Sequence, residues 1–310
     1  MNPADLARQL VEPFTEPIVQ RAAFGVVLLG IVGGLAGCWT VLYGLSYAAE
    51  SLAHGSLPGL VIAVLAGLPL LVGSSGGLLV AAVAIALVAR SPLVGRDTAV
   101  SIVISTMLGL GALLALAPGT PRALNALLFG DVLALSSADL AVGAVVAAVL
   151  VVFLTILHGR LLAVGFDREA AGRLGIHPTL VELSLLLLLG LALVVVVPAL
   201  GNLLAAAILI GPAATARLLT RRVPAMLGAA VLLAVGCGLV GLDASYRFST
   251  ASGATIAITI LVVYLLALTG VWLRRLSGGS AVATGQWGMP DQDGFPPDRS
   301  PASGGEPAVS

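Results

Sequence analysis

Stretches of about twenty apolar residues recur along most of this chain, and they restrict its fold more than any other feature. A helix of about 20 predominantly apolar residues spans the hydrocarbon core of a bilayer. The first such run is 22–43, AAFGVVLLGIVGGLAGCWTVLY. Others cover about 47–73, 74–90, 98–117, 140–157, 180–197, 202–219, 224–242 and 253–273. Hydropathy does not fix the boundary near Ser74 to Gly77. The expected fold is all-α: a polytopic transmembrane helical bundle of about 8–9 spans. Only 10% of the residues are charged and 59% are hydrophobic, whereas a soluble domain carries about 25% charge. A water-soluble globule is therefore excluded.

The formal net charge is zero, so no nucleic-acid or other acidic partner is implied. All fifteen basic residues are Arg. A P-loop needs a Lys on the nucleotide phosphates, so the chain has no such ATPase site and is not expected to be an enzyme. Cys38 and Cys237 lie in apolar runs without neighbouring ligands, and a disulfide or CxxC metal site has no support.

The arginines give an orientation. Arg90 and Arg96, then Arg160, Arg168 and Arg173, then Arg217, Arg221 and Arg222, and finally Arg274 and Arg275 fall in loops that alternate onto one side. Loops on the cytoplasmic side are the arginine-rich ones. With nine spans the N-terminus is outside and the C-terminus inside. Residues 1–21 are polar and amphipathic, unlike a cleavable signal peptide, and are expected to lie on the outer surface. Residues 22–276 form the transmembrane domain. Residues 277–310, rich in Gly, Pro, Ser and Asp, are expected to be disordered. Gly30 with Gly34, and Gly33 with Gly37, have the small-residue spacing that lets membrane helices approach closely. Pro198 and Pro212 mark places for a break or kink.

One pair of ionisable residues stands out. Glu50 and His54, in AESLAHG, open the second apolar run. His158 and His177 fall in the charged stretch 158–178, and Glu182 sits near the start of a span. Four residues turn a helix through about 400°, which puts Glu50 and His54 on one face. A carboxylate oxygen and an imidazole nitrogen suit a divalent transition metal such as Zn²⁺ or Mn²⁺. Two ligands are too few for zinc, so others must come from elsewhere. Protonation of His54 would remove its ligand nitrogen. The spacing also fits a structural pair at the membrane interface. The H-E-x-x-H motif of zinc proteases is absent.

The stretch LSYAAESLAHGSLPG resembles the LSFxGDAxSHAxLPG segment of the ABC-3 family of permeases, importers of zinc, manganese or iron. PFTEPIVQRA, FDREAAGRLG (166–175), GNLLAAAILIGPAATARLL and GLDASYRFSTASGATI resemble further family segments in the same order, over about 12–275. The resemblance implies a multi-pass protein of the bacterial plasma membrane, working as a homodimer. Its partners would be cytoplasmic ATP-binding subunits and an extracytoplasmic metal-binding protein. It implies no resident cofactor; the cargo is Zn²⁺ or Mn²⁺, with Fe²⁺ a further candidate. Glu50 and His54 fall on the family's metal-binding Asp and His. The usual Asp is Glu50 here, Ala49 and Ala53 replace a Gly and a Ser, and the basic residues that often precede the motif are missing. The loop with Phe166, Asp167, Glu169, Ala171 and Gly175 is implied to dock on the ATPase. Read from residue chemistry, it is a charged cytoplasmic segment able to form a short helix ending at Gly175. Pro212, in GPAATA, is expected to serve packing and a kink.

Three other readings remain at this point. A secondary transporter would use Glu50 for proton coupling, and an inverted repeat would favour it. An intramembrane enzyme would need a third ligand or a base. A permease for a chelated metal shares the same broad plan.

Overall fold

The computed structural model describes residues 16–88, 96–116, 130, 132–202 and 204–276, and every regular element among them is helical. The elements are α1 Pro17–Leu42, α2 Ser46–Gly55, α3 Leu57–Ala66, α4 Leu70–Val88, α5 Arg96–Ala115, a 3-10 turn Val132–Ala134, α6 Ser137–Phe166, α7 Arg168–Arg173, α8 Pro178–Leu200, α9 Ala205–Leu219, α10 Val223–Phe248 and α11 Ser252–Leu276. Seven spans are long and apolar enough to cross a bilayer, with α2 and α3 forming one of them. Shorter apolar helices, Leu70–Ile85 within α4 and α9, bring the described apolar elements to nine. By internal contacts the chain divides into 1–271 and 272–310. Of the second part, the described residues 272–276 are the last turn of α11.

Several boundaries differ from the hydropathy reading. α1 begins at Pro17, inside the segment 1–21, because a proline in the first turn has no N–H to lose there. Residues 1–15 and 277–310 lie outside the described residues, and with them the expectations of a surface helix and a disordered tail. The boundary expected near Ser74 to Gly77 falls instead at Gly67–Pro69. Gly67 has φ +66°, which favours glycine, and Pro69 follows it. Ser74 and Ser75 are inside α4, where their hydroxyls donate to the Leu71 carbonyl. α6 continues past Leu157 to Phe166, and α10 past Leu242 to Phe248. Polar side chains at those ends lower the hydropathy without breaking the helix. Asp243, just beyond the expected run 224–242, is therefore helical and pairs with Arg247 at 2.8 Å.

α1 is the hub. Of its most apolar stretch 72% is buried within the chain, against 11% for α11, whose side chains are left for lipid or another subunit. Glycines let neighbouring backbones touch α1 on two sides. A Cβ at Gly30 would meet the Val235 amide nitrogen at 2.9 Å, and one at Gly34 the Val231 Cα at 2.8 Å, both on α10. A Cβ at Gly33 would lie 3.0 Å from the Ile208 carbonyl oxygen of α9, and one at Gly37 would fall on that of Leu209.

Two prolines sit inside helices, and each removes a backbone donor from the carbonyl four residues earlier. For Pro198 that carbonyl is Val194, and the Ser74 hydroxyl of α4 donates to it at 3.1 Å. Serine commonly takes over a carbonyl freed this way in membranes. For Pro212 the freed carbonyl is Ile208, which faces Gly33.

The ends of the bundle differ in charge. Where α1 finishes, Tyr43 Oη donates to the Leu161 carbonyl at 2.7 Å, and Arg217 donates to the Val41 carbonyl at 3.2 Å. Those contacts set the C-terminal ends of α6 and α9 beside that of α1. Arg160, Arg168, Arg173, Arg217, Arg221 and Arg222 belong to this end. At the other, the start of α11 meets the 3-10 turn: the Val132 N–H donates to the Ser252 hydroxyl.

Candidate functional site

α2 and α3 together make one span, interrupted at Ser56. Pro58 cannot donate to the His54 carbonyl, so the helical hydrogen bonding lapses there. The Ser56 hydroxyl turns back to the Ala53 carbonyl at 2.7 Å. α2 buries Ala49, Ser51, Ala53 and Gly55. A Cβ at Gly55 would meet that of Ala81 at 2.6 Å, so α2 lies close on α4.

Glu50 and His54 lie on one face of α2, one turn apart. Glu50 Oε1 is 3.9 Å from His54 Nε2; the carboxylate side chain is 55% exposed and the imidazole 17%. A cation could therefore approach from outside this chain and meet both. Among the described residues no group of three His, Cys, Asp or Glu side chains converges. His158 packs edge-on against Trp39, with ring centroids 5.6 Å apart, and His177 is the residue before α8. Neither joins the pair.

The other ring nitrogen of His54 has a partner that sequence reasoning missed. Nδ1 is 2.8 Å from Oδ1 of Asn202, which is buried in the turn between α8 and α9. The signal was a lone amide in an otherwise apolar stretch, where an unpaired polar group is costly. A cavity of about 520 Å³ lies elsewhere, among Leu28, Leu71, Leu135, Val195 and Pro198, with Asp139 at its edge. Its aliphatic lining offers a cation little, so donor chemistry rather than volume picks out α2.

The loop 166–175 lies at the arginine-rich end. Asp167 caps α7: its Oδ1 accepts from the Glu169 and Ala170 N–H groups, each at 2.9 Å. Gly175, with φ +78°, follows the helix end. Ala171 is buried in the apolar core, while Arg168 reaches Glu182 of α8 at 2.7 Å. Glu169 is exposed, 4.0 Å from Arg173. Phe166 and Leu174, on either side of α7, are 60% and 76% exposed. Nearby, burial pushes the Tyr43 phenol above its ordinary range, and the Glu182 carboxylate adds to this.

The helices and their alternating ends define a multi-pass membrane protein. Residues 15–270 match the ABC 3 transport family, and the chain belongs to it. It is 30% identical over 259 residues to a "Probable iron transport system membrane protein" of Haemophilus influenzae, covering 84% of this chain and 96% of that one. It is 31% identical to the "Manganese transport system membrane protein MntC" of Listeria monocytogenes, over 80% of this chain and 89% of that one. Among solved structures, "PsaBC from Streptococcus pneumoniae in complex with Fab" superposes with a TM-score of 0.79 at 27% identity, covering 87% of this chain and 99% of the other. "An inward-facing conformation of a putative metal-chelate type ABC transporter" gives a TM-score of 0.67 at 18% identity, over 81% and 85%, a likeness of fold alone.

Proposed function

We propose that this chain is the permease subunit of an ATP-driven importer of a divalent transition metal ion in the bacterial plasma membrane, with hydrolysis in a separate subunit. The observation that carries this reading is the Glu50–His54 pair, an oxygen and a nitrogen donor 3.9 Å apart at the edge of a membrane span. Ionisable groups within spans are costly and mark ion paths. One carboxylate and one imidazole suit Mn²⁺ or Fe²⁺, in line with the manganese and iron systems among the relatives. Zinc is a third cargo to test.

Two side chains do not complete a metal shell, and Glu50 is half-exposed. A second copy of the chain would supply the matching pair across a two-fold axis. Metal arriving from an extracytoplasmic binding protein would bind there, then leave inward when the ATPase closes. α7 fits the ATPase-coupling element: it is capped by Asp167, tied to α8 through Arg168 and Glu182, and flanked by exposed Phe166 and Leu174.

The test is uptake of Mn²⁺, Fe²⁺ and Zn²⁺ into vesicles holding this chain, with and without its ATPase and binding-protein partners. The reading expects uptake of at least one ion that needs ATP and both partners. Equal uptake without the ATPase would replace it with a secondary transporter.

A further inference from the structure

Asn202 follows Gly201, whose φ of +84° favours glycine, in the turn between α8 and α9. Irregular backbone inside a membrane survives only where protein or a cavity satisfies it. Asn202 is 1% exposed, and all of its amide is used. Nδ2 donates to the Ala53 carbonyl at 2.5 Å and to the Ser56 hydroxyl at 3.3 Å. Oδ1 faces His54 Nδ1 at 2.8 Å.

The identity of these partners fixes where the protons are. A carbonyl only accepts, so the amide nitrogen must face Ala53. The Ser56 hydroxyl has already given its proton to the same carbonyl, so it too accepts from Nδ2. The amide oxygen is thereby left to His54. That oxygen cannot donate, so Nδ1 must carry a hydrogen. In the neutral imidazole this leaves Nε2 unprotonated, and Nε2 is the nitrogen 3.9 Å from Glu50.

We infer that Asn202 is a positioning residue for the transported cation: by accepting from Nδ1–H it holds His54 in the tautomer whose Nε2 lone pair faces the cation beside Glu50. The inference rests on the proposed role of Glu50 and His54. Metal-bound histidines are commonly oriented through their second ring nitrogen, and losing that partner costs about 10–100-fold in affinity. Here the partner comes from a different span, so the pair on α2 is aligned by the α8–α9 turn.

The test uses the full chain in lipid nanodiscs, labelled with ¹⁵N-histidine. The chain has three histidines, and a His54→Ala spectrum assigns the one of interest. The expected wild-type signature is a protonated Nδ1 and an unprotonated Nε2, with Mn²⁺ broadening the Nε2 signal first. Mn²⁺ alone is then titrated into the variants. Asn202→Leu should weaken binding about 10–100-fold. Asn202→Asp keeps an acceptor for Nδ1–H but sets a second oxygen against the Ala53 carbonyl, so it should restore binding only in part while keeping the Nδ1-protonated tautomer. A wild-type His54 protonated on Nε2 overturns the inference, as does Asn202→Leu with unchanged affinity. If Asn202→Leu does not fold, the wild-type tautomer still decides. Unchanged Mn²⁺ binding in His54→Ala and Glu50→Ala would instead overturn the proposed metal site.

Discussion

Two junctions inside this bundle are built in opposite ways. Along α1, four glycines let the backbones of α9 and α10 come within van der Waals contact, so the fit is one of shape. Where the α2–α3 break meets the α8–α9 turn, the helices lapse, and Asn202, His54 and Ser56 are joined by hydrogen bonds instead. Lipid gives little hydrophobic drive between helices, so close packing and interhelical hydrogen bonds must hold them. The first junction is made by packing of backbone on backbone. The second leaves irregular backbone and polar side chains in the interior, beside the Glu50–His54 pair on α2. On the proposed function, the ion path falls at the second junction, while the first is held by shape.

The comparison is most easily broken at the glycine seam. Gly37→Ala sets a Cβ onto the Leu209 carbonyl oxygen, a backbone atom that cannot swing aside. We expect loss of monodisperse protein in detergent, checked by size-exclusion chromatography. Gly190→Ala, in open space on α8, should melt like wild type. If both variants behave alike, the seam is not what holds α1.

Next in size is α7, the proposed coupling element. Asp167→Ala removes the cap of a helix too short to stand alone, a loss of about 1 kcal/mol locally. Assembly of the permease should survive while ATP-dependent uptake falls. Retained uptake would separate α7 from the ATPase.

Much of this fold was legible from hydropathy. About 8–9 spans were expected; among the described residues seven helices are long and apolar enough to span and two shorter apolar helices accompany them, because a span is a matter of length and apolarity. Boundaries were less legible. The break at Gly67–Pro69 sits in a continuously apolar stretch, so hydropathy does not mark it; its sequence signal is Gly67 followed by Pro69. The end of α6 was hidden the other way, since His158 and Arg160 lower hydropathy while remaining helical. At the candidate site, a spacing of four was enough to put Glu50 and His54 on one face. The lone amide of Asn202 was visible but its pairing with His54 was not, because its partners lie 146 to 149 positions away in the chain.

Smaller effects sharpen the polar junction. Glu50→Asp shortens the carboxylate by one methylene and should keep uptake with a changed preference between Mn²⁺ and Fe²⁺. Glu50→Gln, which removes the charge, should lose uptake. Competition between the two ions in vesicles checks both, and equal activity of the two variants would show the charge to be unimportant. Smallest of all, Ser74→Ala removes the donor to the Val194 carbonyl freed by Pro198. That should cost about 0.6 kcal/mol, read as a small fall in Tm. Ser75→Ala, which loses only a bond within its own helix, should cost less.

The most direct test of the central claim is metal uptake by Glu50→Ala and His54→Ala in vesicles with the full set of partners. Assembly and ATP hydrolysis would be measured alongside. The account predicts that both variants assemble, still bind the ATPase and fail to import the ion that wild type carries. Wild-type uptake in either assembled variant would contradict it and move the ion path away from α2.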